Sequence, residues 1–507
     1  MYFFLDFRSV LVFIGQLLVL FYVIFVTKNW RFFKFAWHNN GFFFPMFPFI
    51  GTMYIAVIAG QRKNVIAMAD FVQKYIGFPF NLWHGYDYYY FTQDPNEAKT
   101  LLHNLGAQNK GTVYNDIAYV FQDSLLTIEY KRWRLRRKEY AKCFKPSSLK
   151  MFSLDYYKGS SDFIREIMAQ NGRQSLSYDD FTKYAFKNFF LTSLGLDKQP
   201  ENMHRFGECL MQFQEDVAQK LLDPLTPVSM WYYLSPGGRN TAKNMKEITS
   251  ISRQIFEDKT KQRADFKAFI EHEDNPALLD LMMSLKGTLL NDKNVLDDLV
   301  FFSAAASDTS GHFLMICFTL IGMFQDVQEK IYQEIVDLVG QKPILPDDVP
   351  KLEYIEAVVH ETLRLFPVIP ILSRKLDKDV DLGDKVIPKG SNVGISVYHI
   401  QRNPTYWPDP LKFDPTRFLP ENASKIQPNT YMAFSSGPRD CLGKAQALCM
   451  LKITIASVVR NFKVLSKHKS VEEFKVMSAL SLKTTHPLDC RFVPRTAELQ
   501  HGSQEEI

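Results

Sequence analysis

Cys441 lies in Phe434-Ser-Ser-Gly437-Pro438-Arg439-Asp440-Cys441-Leu442-Gly443, with an arginine two residues before it, an aromatic seven before it and a glycine on either side. Glycines admit positive φ and close backbone approach, so amide N–H groups can turn toward the sulfur and lower its pKa. A thiolate held at the start of a helix is a candidate metal ligand, and Phe434, Gly437, Arg439 and Gly443 would frame a flat cofactor above it. The plain alternative is a strand-to-helix turn around an inert, buried cysteine.

A second group is Ser303-Ala304-Ala305-Ala306-Ser307-Asp308-Thr309-Ser310-Gly311. Small side chains on a helix let a planar ligand approach, and Gly311 or the Thr309 hydroxyl can loosen the helical ladder locally. Asp308 and Thr309 together form a proton-relay pair of the kind needed where O–O cleavage consumes protons. The same stretch, Leu299 to Phe324, is apolar enough to be weighed as a membrane helix, but an Asp near its centre costs about 2.5–3.5 kcal/mol on insertion scales, which favours a buried core helix. Two further pairs have helical spacing. Glu361 and Arg364 share one face, which by itself describes many solvated helices. Trp133 and Arg137 share another, inside Lys131-Arg-Trp-Arg-Leu-Arg-Arg-Lys138; the remaining charges there read equally as a solvated face or as a docking patch for an acidic partner.

These groups need a large scaffold, and the 507 residues supply it with 46% hydrophobic content and 43 Phe. No Gly/Ser-rich or Pro-rich linker separates candidate cores, so one folded body is expected. A net charge of +5 without a basic face interleaved with stacking aromatics argues against nucleic acid. Six widely spaced cysteines without a Cys-x-x-Cys pair fit a reducing compartment, with one functional cysteine and five packing ones.

Val10 to Val26 is apolar apart from Gly15 and Gln16, close to the length that crosses a bilayer. It lacks a small-x-small cleavage site, so an anchor is favoured over a cleaved signal. Lys28, Arg31 and Lys34 follow it while only Arg8 precedes it, which orients the rest of the chain to the cytosol. The expected organisation is an anchor with its basic flank at 1–34, a hinge at 35–55 around Pro45-Met-Phe-Pro48, a catalytic body at 56–495 and a polar tail at 496–507. Strands are expected at 77–92, between Val380 and Val397, and from Phe462 to Pro494; helices dominate from Asn96 to Val339, with breaks at Lys145-Pro146, Pro224 to Pro227 and Ser235-Pro-Gly-Gly238. The pattern predicts a mainly α body with a small β region.

The cysteine loop fills every fixed position of Phe-x-x-Gly-x-Arg-x-Cys-x-Gly, and on that motif the chain resembles the cytochrome P450 family. The resemblance, from the anchor to about Pro494, implies a P450-like fold behind one transmembrane helix, with haem b held between helices and its iron bound by Cys441. Asp308-Thr309-Ser310 is similar to the family's acid–alcohol motif, with Ala306 where the family has glycine. Glu361-Thr-Leu-Arg364 resembles Glu-x-x-Arg, which implies a structural triad with Arg417; Trp133, Arg137, Arg374 and Arg439 match positions that contact the haem propionates. The pocket would draw on Tyr114 to Leu126, Phe301 to Ala305, Val368 to Leu372 and Leu480 to Leu482.

Arg417-Phe-Leu-Pro-Glu-Asn422 brings the chain nearest to the family-4 clan of animal enzymes, especially insect members. Ala305 replaces the glutamate that esterifies haem in many of them, so no covalent haem link is expected. The implied activity is insertion of one oxygen atom of O2 into a lipophilic substrate. Electrons would come from NADPH through cytochrome P450 reductase, with cytochrome b5 as a second partner, since the chain carries no dinucleotide fingerprint. The implied location is the endoplasmic reticulum membrane. The competing readings are a haem-thiolate isomerase or dehydratase of hydroperoxides and a non-catalytic haem or lipid carrier.

Overall fold

The computed structural model describes residues 7–40, 51–52, 54–55, 64–169, 176–196, 202–222, 234–262, 265–478, 481–488 and 490–495. Helix α1 (Phe7–Lys28) holds the apolar N-terminal run. Only 6% of its Ser9–Lys28 span is buried, against 83% of the other helix among the described residues long and apolar enough to cross a membrane, Asp292–Met323; the second is a core helix, as the cost of Asp308 in lipid required. Helix α2 (Trp30–Asn40) follows a turn at Asn29 and brings Phe35 and Ala36 into a buried cluster with Phe25, Trp83, Tyr88 and Tyr90. Residues 35–40, expected as the start of a hinge, are thus helical; Pro45-Met-Phe-Pro48 and residues 496–507 lie outside the described residues.

Strands β1 (Phe80–His84) and β2 (Asp87–Thr92) form a hairpin whose turn uses Gly85 at φ 58°. A short strand β3 (Asn109–Lys110) interrupts the region read as helical. Helix α3 (Tyr130–Tyr140) precedes the Lys145-Pro146 break, and α4 (Pro146–Ala169) starts on that proline. Helix α5 (Tyr178–Thr192) is started by a capping box between Ser177 and Asp180. The expected break at 224–227 lies outside the described residues, and a 27-residue helix begins at Pro236. Helix α6 (Asp292–Met323) is capped by Asn291 and Asn294 and runs 32 residues without a break, about 48 Å at 1.5 Å per residue.

Helix α7 (Glu353–Leu365) ends before Pro367, and β4 (Ile371–Lys375), β5 (Val380–Asp381), β6 (Val386–Ile387) and β7 (Asn392–Ser396) follow. Helix α8 (Lys444–Asn461) leads into β8 (Phe462–Ser466), β9 (Val476–Ser478), β10 (Leu482–Thr484) and β11 (Cys490–Pro494). One five-stranded sheet has the order β1-β2-β7-β4-β3, and three two-stranded sheets pair β5 with β6, β8 with β11 and β9 with β10. Within the large sheet only β2 and β7 run parallel, and Lys110 of β3 faces Arg374 of β4 in register.

The principal core joins Phe181 and Tyr184 of α5, Phe313 to Phe318 of α6, Val358 of α7 and Ile453 of α8. Helix α6 runs through this core. At Gly311 a Cβ would stand 2.2 Å from Thr182 Oγ1 and 2.8 Å from Thr182 Cα, so the glycine lets α5 and α6 touch. That corrects the expectation that Gly311 loosens the helix: the ladder is continuous there and the missing side chain serves packing.

Candidate active site

The cysteine loop connects Met432 to α8 and is shaped by two left-handed residues, Ser435 at φ 66° and Gly437 at φ 76°. A side chain at Gly437 would drive into the Leu102 carbonyl oxygen at 2.4 Å, so this position requires glycine. Gly443, by contrast, is the N-cap of α8 at φ −88°, and a Cβ there would meet only Phe144 Cε1 at 3.9 Å; its glycine leaves room and not a turn. The Cys441 amide donates to the Phe434 carbonyl at 3.0 Å and closes the loop. Cys441 opens into a cavity, while the other five cysteines are buried. Burial nonetheless pushes the Cys441 thiol up, with the Gly443 amide and Arg137 opposing it. The expected lowering by loop amides is outweighed by the apolar walls; a bound metal cation is what removes such a proton outright.

The cavity, of ≈ 380 Å³, reaches from Cys441 and Phe434 to Ala304, Ala305, Ala306, Asp308 and Thr309 on α6. Apolar walls come from Phe121, Leu125, Leu126, Phe301, Phe302, Phe313, Val368, Ile369 and Leu372, with Ser481 at one side. All four segments expected to line a pocket contribute; Leu480 lies outside the described residues.

Two buried arginines stand together here: Arg439 lines the cavity and Arg374 lies beside it. Arg439 donates through Nη2 to the Ile128 carbonyl at 2.9 Å and stacks over Trp133 with its guanidinium 4.6 Å from the ring centre. Its Nε and Nη1, and the Nε and Nη2 of Arg374, have no acceptor among the described residues. Buried guanidinium hydrogens left unpaired are costly. Burial and the neighbouring Arg374 push Arg439 down to about 9, and burial lowers Arg374 as well. Lys110 completes a positive wall, lowered by burial and by both arginines, its ammonium 4.7 Å from the Tyr114 ring centre. Lys110 was missed in the sequence because nothing local marks it; only the β3–β4 register sets it beside Arg374.

Arg137 also lines the cavity, but its guanidinium donates to the Asp440 carbonyl at 2.7 Å and to the Asp440 carboxylate at 2.5 Å. One charge left open as solvated or docking is neither. Arg136 is buried between Asp298 and Asp123, whereas Arg132 pairs with Asp123 and stays exposed, as do Lys131, Arg134 and Lys138.

On the opposite wall Thr309 Oγ1 donates to the Ala305 carbonyl at 2.7 Å. Asp308 accepts from the Tyr178 hydroxyl at 2.5 Å and lies 3.2 Å from His312 Nδ1. Burial pushes the Asp308 carboxyl up, but His312, Lys483 and Tyr178 outweigh it and hold it well below the usual carboxylate range.

On α7, Glu361 and Arg364 are fully buried and paired twice, at 2.7 and 2.8 Å. Arg364 also donates to the carbonyls of Gln401, Pro410 and Lys412, and Arg417 Nε stands 3.6 Å from Glu361. The three residues expected as a triad meet.

A cysteine facing a small-residue helix across an apolar cavity, with unpaired arginine hydrogens at its edge, fits a flat, anionic, metal-centred cofactor. This is the arrangement of a haem-thiolate protein. The family model for cytochrome P450 matches residues 25–490. Relatives include probable cytochrome P450 4ac1 of Drosophila melanogaster, 27% identical over 79% of this chain and 80% of the relative. Cytochrome P450 4g1 of the same fly is 24% identical over 87% of this chain and 86% of the relative, and cytochrome P450 4V2 of Mus musculus is 27% identical over 69% of each. The chain belongs to the cytochrome P450 family and is a monooxygenase with haem on a cysteine thiolate.

Proposed function

We propose that the enzyme is anchored by α1 in the endoplasmic reticulum membrane, faces the cytosol, and inserts one oxygen atom of O2 into a lipophilic substrate such as a fatty acid, terpenoid, hormone or xenobiotic. The observation that carries this is the single cavity joining Cys441, the apolar walls and the Asp308–Thr309 pair. Haem, bound there, supplies the electron-rich iron on which O2 is activated. Cys441 would hold the iron; Arg374 and Arg439 would take the propionates through hydrogens that lack an acceptor among the described residues, and Lys110 would add its charge beside them. Trp133 supports Arg439 from below, and Arg137 reaches the cofactor's edge chiefly by fixing the loop through Asp440.

Asp308 and Thr309 would pass protons into the cavity from the α6 side. Retention of both favours oxygen activation over rearrangement of hydroperoxides. Ala305 offers no carboxylate, so haem would be held without an ester link. Electrons would arrive from NADPH through cytochrome P450 reductase, with cytochrome b5 as a second donor, and the exposed Lys131, Arg134 and Lys138 suit an acidic partner.

The test is the absorption spectrum of the reduced, CO-bound protein combined with NADPH-dependent oxygen consumption in the presence of purified reductase. A Soret band far to the red of that of histidine-ligated haem, lost in Cys441→Ser, together with oxygen uptake, is expected. A red-shifted band that survives in Cys441→Ser overturns the ligand assignment. Turnover of a hydroperoxide without oxygen uptake overturns the monooxygenase assignment in favour of the isomerase.

A further inference from the structure

Asp308 has a second side that proton delivery to the cavity does not use. The residue is 6% exposed, and its carboxylate accepts the Tyr178 hydroxyl at 2.5 Å. His312 Nδ1 lies 3.2 Å from the same carboxylate oxygen and 2.9 Å from the Asp308 backbone carbonyl. Both neighbours are acceptors, so Nδ1 carries the hydrogen and the ring is fixed in one orientation. Tyr178 covers the imidazole, with ring centres 3.9 Å apart.

The groups facing Asp308 are His312 on its own helix, Tyr178 on α5 and Lys483 on β10, with the Asp179 charge beyond Tyr178. Lys483 lies 5.6 Å from the Tyr178 ring centre. Tyr178 is half-buried between the exposed Ser177 and Asp179 at the start of α5, so it spans from the surface to a carboxylate that lines the cavity.

We propose that Tyr178 is the relay that returns protons to Asp308, and that His312 is the positioning residue that keeps the carboxylate aimed at it. The proposal rests on the reading of Asp308 and Thr309 as the delivery pair. When a proton is drawn toward Thr309, the Tyr178 O–H hydrogen passes to the ionised Asp308 carboxylate, which hands it on, as the phenolic oxygen takes one from solvent. One O–H bond forms for each that breaks, and no electron moves. Loss of the phenol would slow the refilling, and loss of the imidazole would let the carboxylate swing from its donor.

The experiment compares full-length, haem-loaded wild type with Tyr178→Phe and His312→Gln, using haem content and the CO spectrum to verify folding. With reductase and NADPH and no added substrate, each electron pair leaves as hydrogen peroxide, or a second pair and two more protons carry O2 to water. Tyr178→Phe is expected to shift the ratio toward peroxide about tenfold and to change the solvent deuterium isotope effect on water formation. Infrared titration of the Asp308 carboxyl, assigned by its loss in Asp308→Asn, is expected to move up by about one pH unit or more in both variants.

An unchanged peroxide ratio and isotope effect in Tyr178→Phe overturn the relay. An unmoved titration in His312→Gln overturns the positioning role. If Asp308→Asn and Thr309→Ala also leave the ratio unchanged, the delivery pair fails and this inference with it. If those two raise peroxide while Tyr178→Phe does not, the relay alone fails.

Discussion

Arg137 fastens helix α3 to the cysteine loop by gripping Asp440 twice, at its backbone carbonyl and at its carboxylate. Asp440 immediately precedes Cys441, so the grip fixes the sulfur's approach to the cavity. Arg137→Gln and Asp440→Asn should each lower the temperature at which the thiolate-haem spectrum is lost. Asp440 is 45% exposed, so a double-mutant cycle should return a coupling of only about 0.5–1 kcal/mol. Strict additivity would show that Arg137 acts on the cofactor alone.

Arg374 should have opposite effects on the two forms of the protein. Without haem, its unpaired hydrogens sit in a fully buried site, and Arg374→Met should stabilise the apo chain against urea by about 1–3 kcal/mol. With haem bound, the same substitution would take away a donor proposed for the propionates and should speed haem transfer to apomyoglobin about tenfold. Stabilities that moved in the same direction in both forms would exclude the anion-holding role.

The buried Glu361–Arg364 pair allows a graded comparison. Glu361→Ala strands Arg364 at zero exposure and should cost about 3–5 kcal/mol. Arg417→Ala removes a partner at 3.6 Å that also bonds the Pro408 and Asp409 carbonyls, and should cost about 1 kcal/mol. Thermal unfolding followed by the CO spectrum reads both. Equal losses would mean that the three residues contribute as equals.

What the sequence disclosed was what lies close together along the chain. Phe434 to Gly443 is one loop, and Asp308 with Thr309 is one helical turn, so residue types and spacing reported both. The helix through Asp308 was separable from a membrane span because a carboxylate at its centre needs protein partners. Those partners were not legible: Tyr178 is 130 residues away, and only the α5–α6 crossing sets it there. Lys110 was hidden for the same reason, being placed by strand register. Arg136 was misjudged because a run of basic residues shows its charge but not the aspartates folded against it.

Asp298 makes stability depend on pH in a predictable direction. Burial raises its pKa to about 6, against Arg136, the Tyr140 hydroxyl and the Leu125 amide. A carboxyl whose folded pKa lies above its unfolded value near 3.9 takes up a proton on folding; its contribution is therefore most favourable below about pH 4 and is lost as pH rises through 6. Relative to Asp298→Asn, wild type should lose about 3 kcal/mol across that window and stay level above it. Urea unfolding of both proteins between pH 4 and 8 measures the difference, and a difference independent of pH would place the Asp298 titration elsewhere.

The crossing at Gly311 should transmit a packing change to the proton path. A methyl group there would lie 2.8 Å from Thr182 Cα, a backbone atom that no rotamer change can withdraw, so Thr182→Ala should not rescue Gly311→Ala. Pushing α5 away should cost about 1–3 kcal/mol. Tyr178 begins the same helix one turn before Thr182, and its 2.5 Å bond to Asp308 should lengthen. Gly311→Ala should therefore lose stability and, in the protein that remains folded, raise the Asp308 titration as Tyr178→Phe does. An unchanged carboxyl titration beside a loss of stability would show that the helix tilts about Tyr178 and leaves the hydroxyl in place.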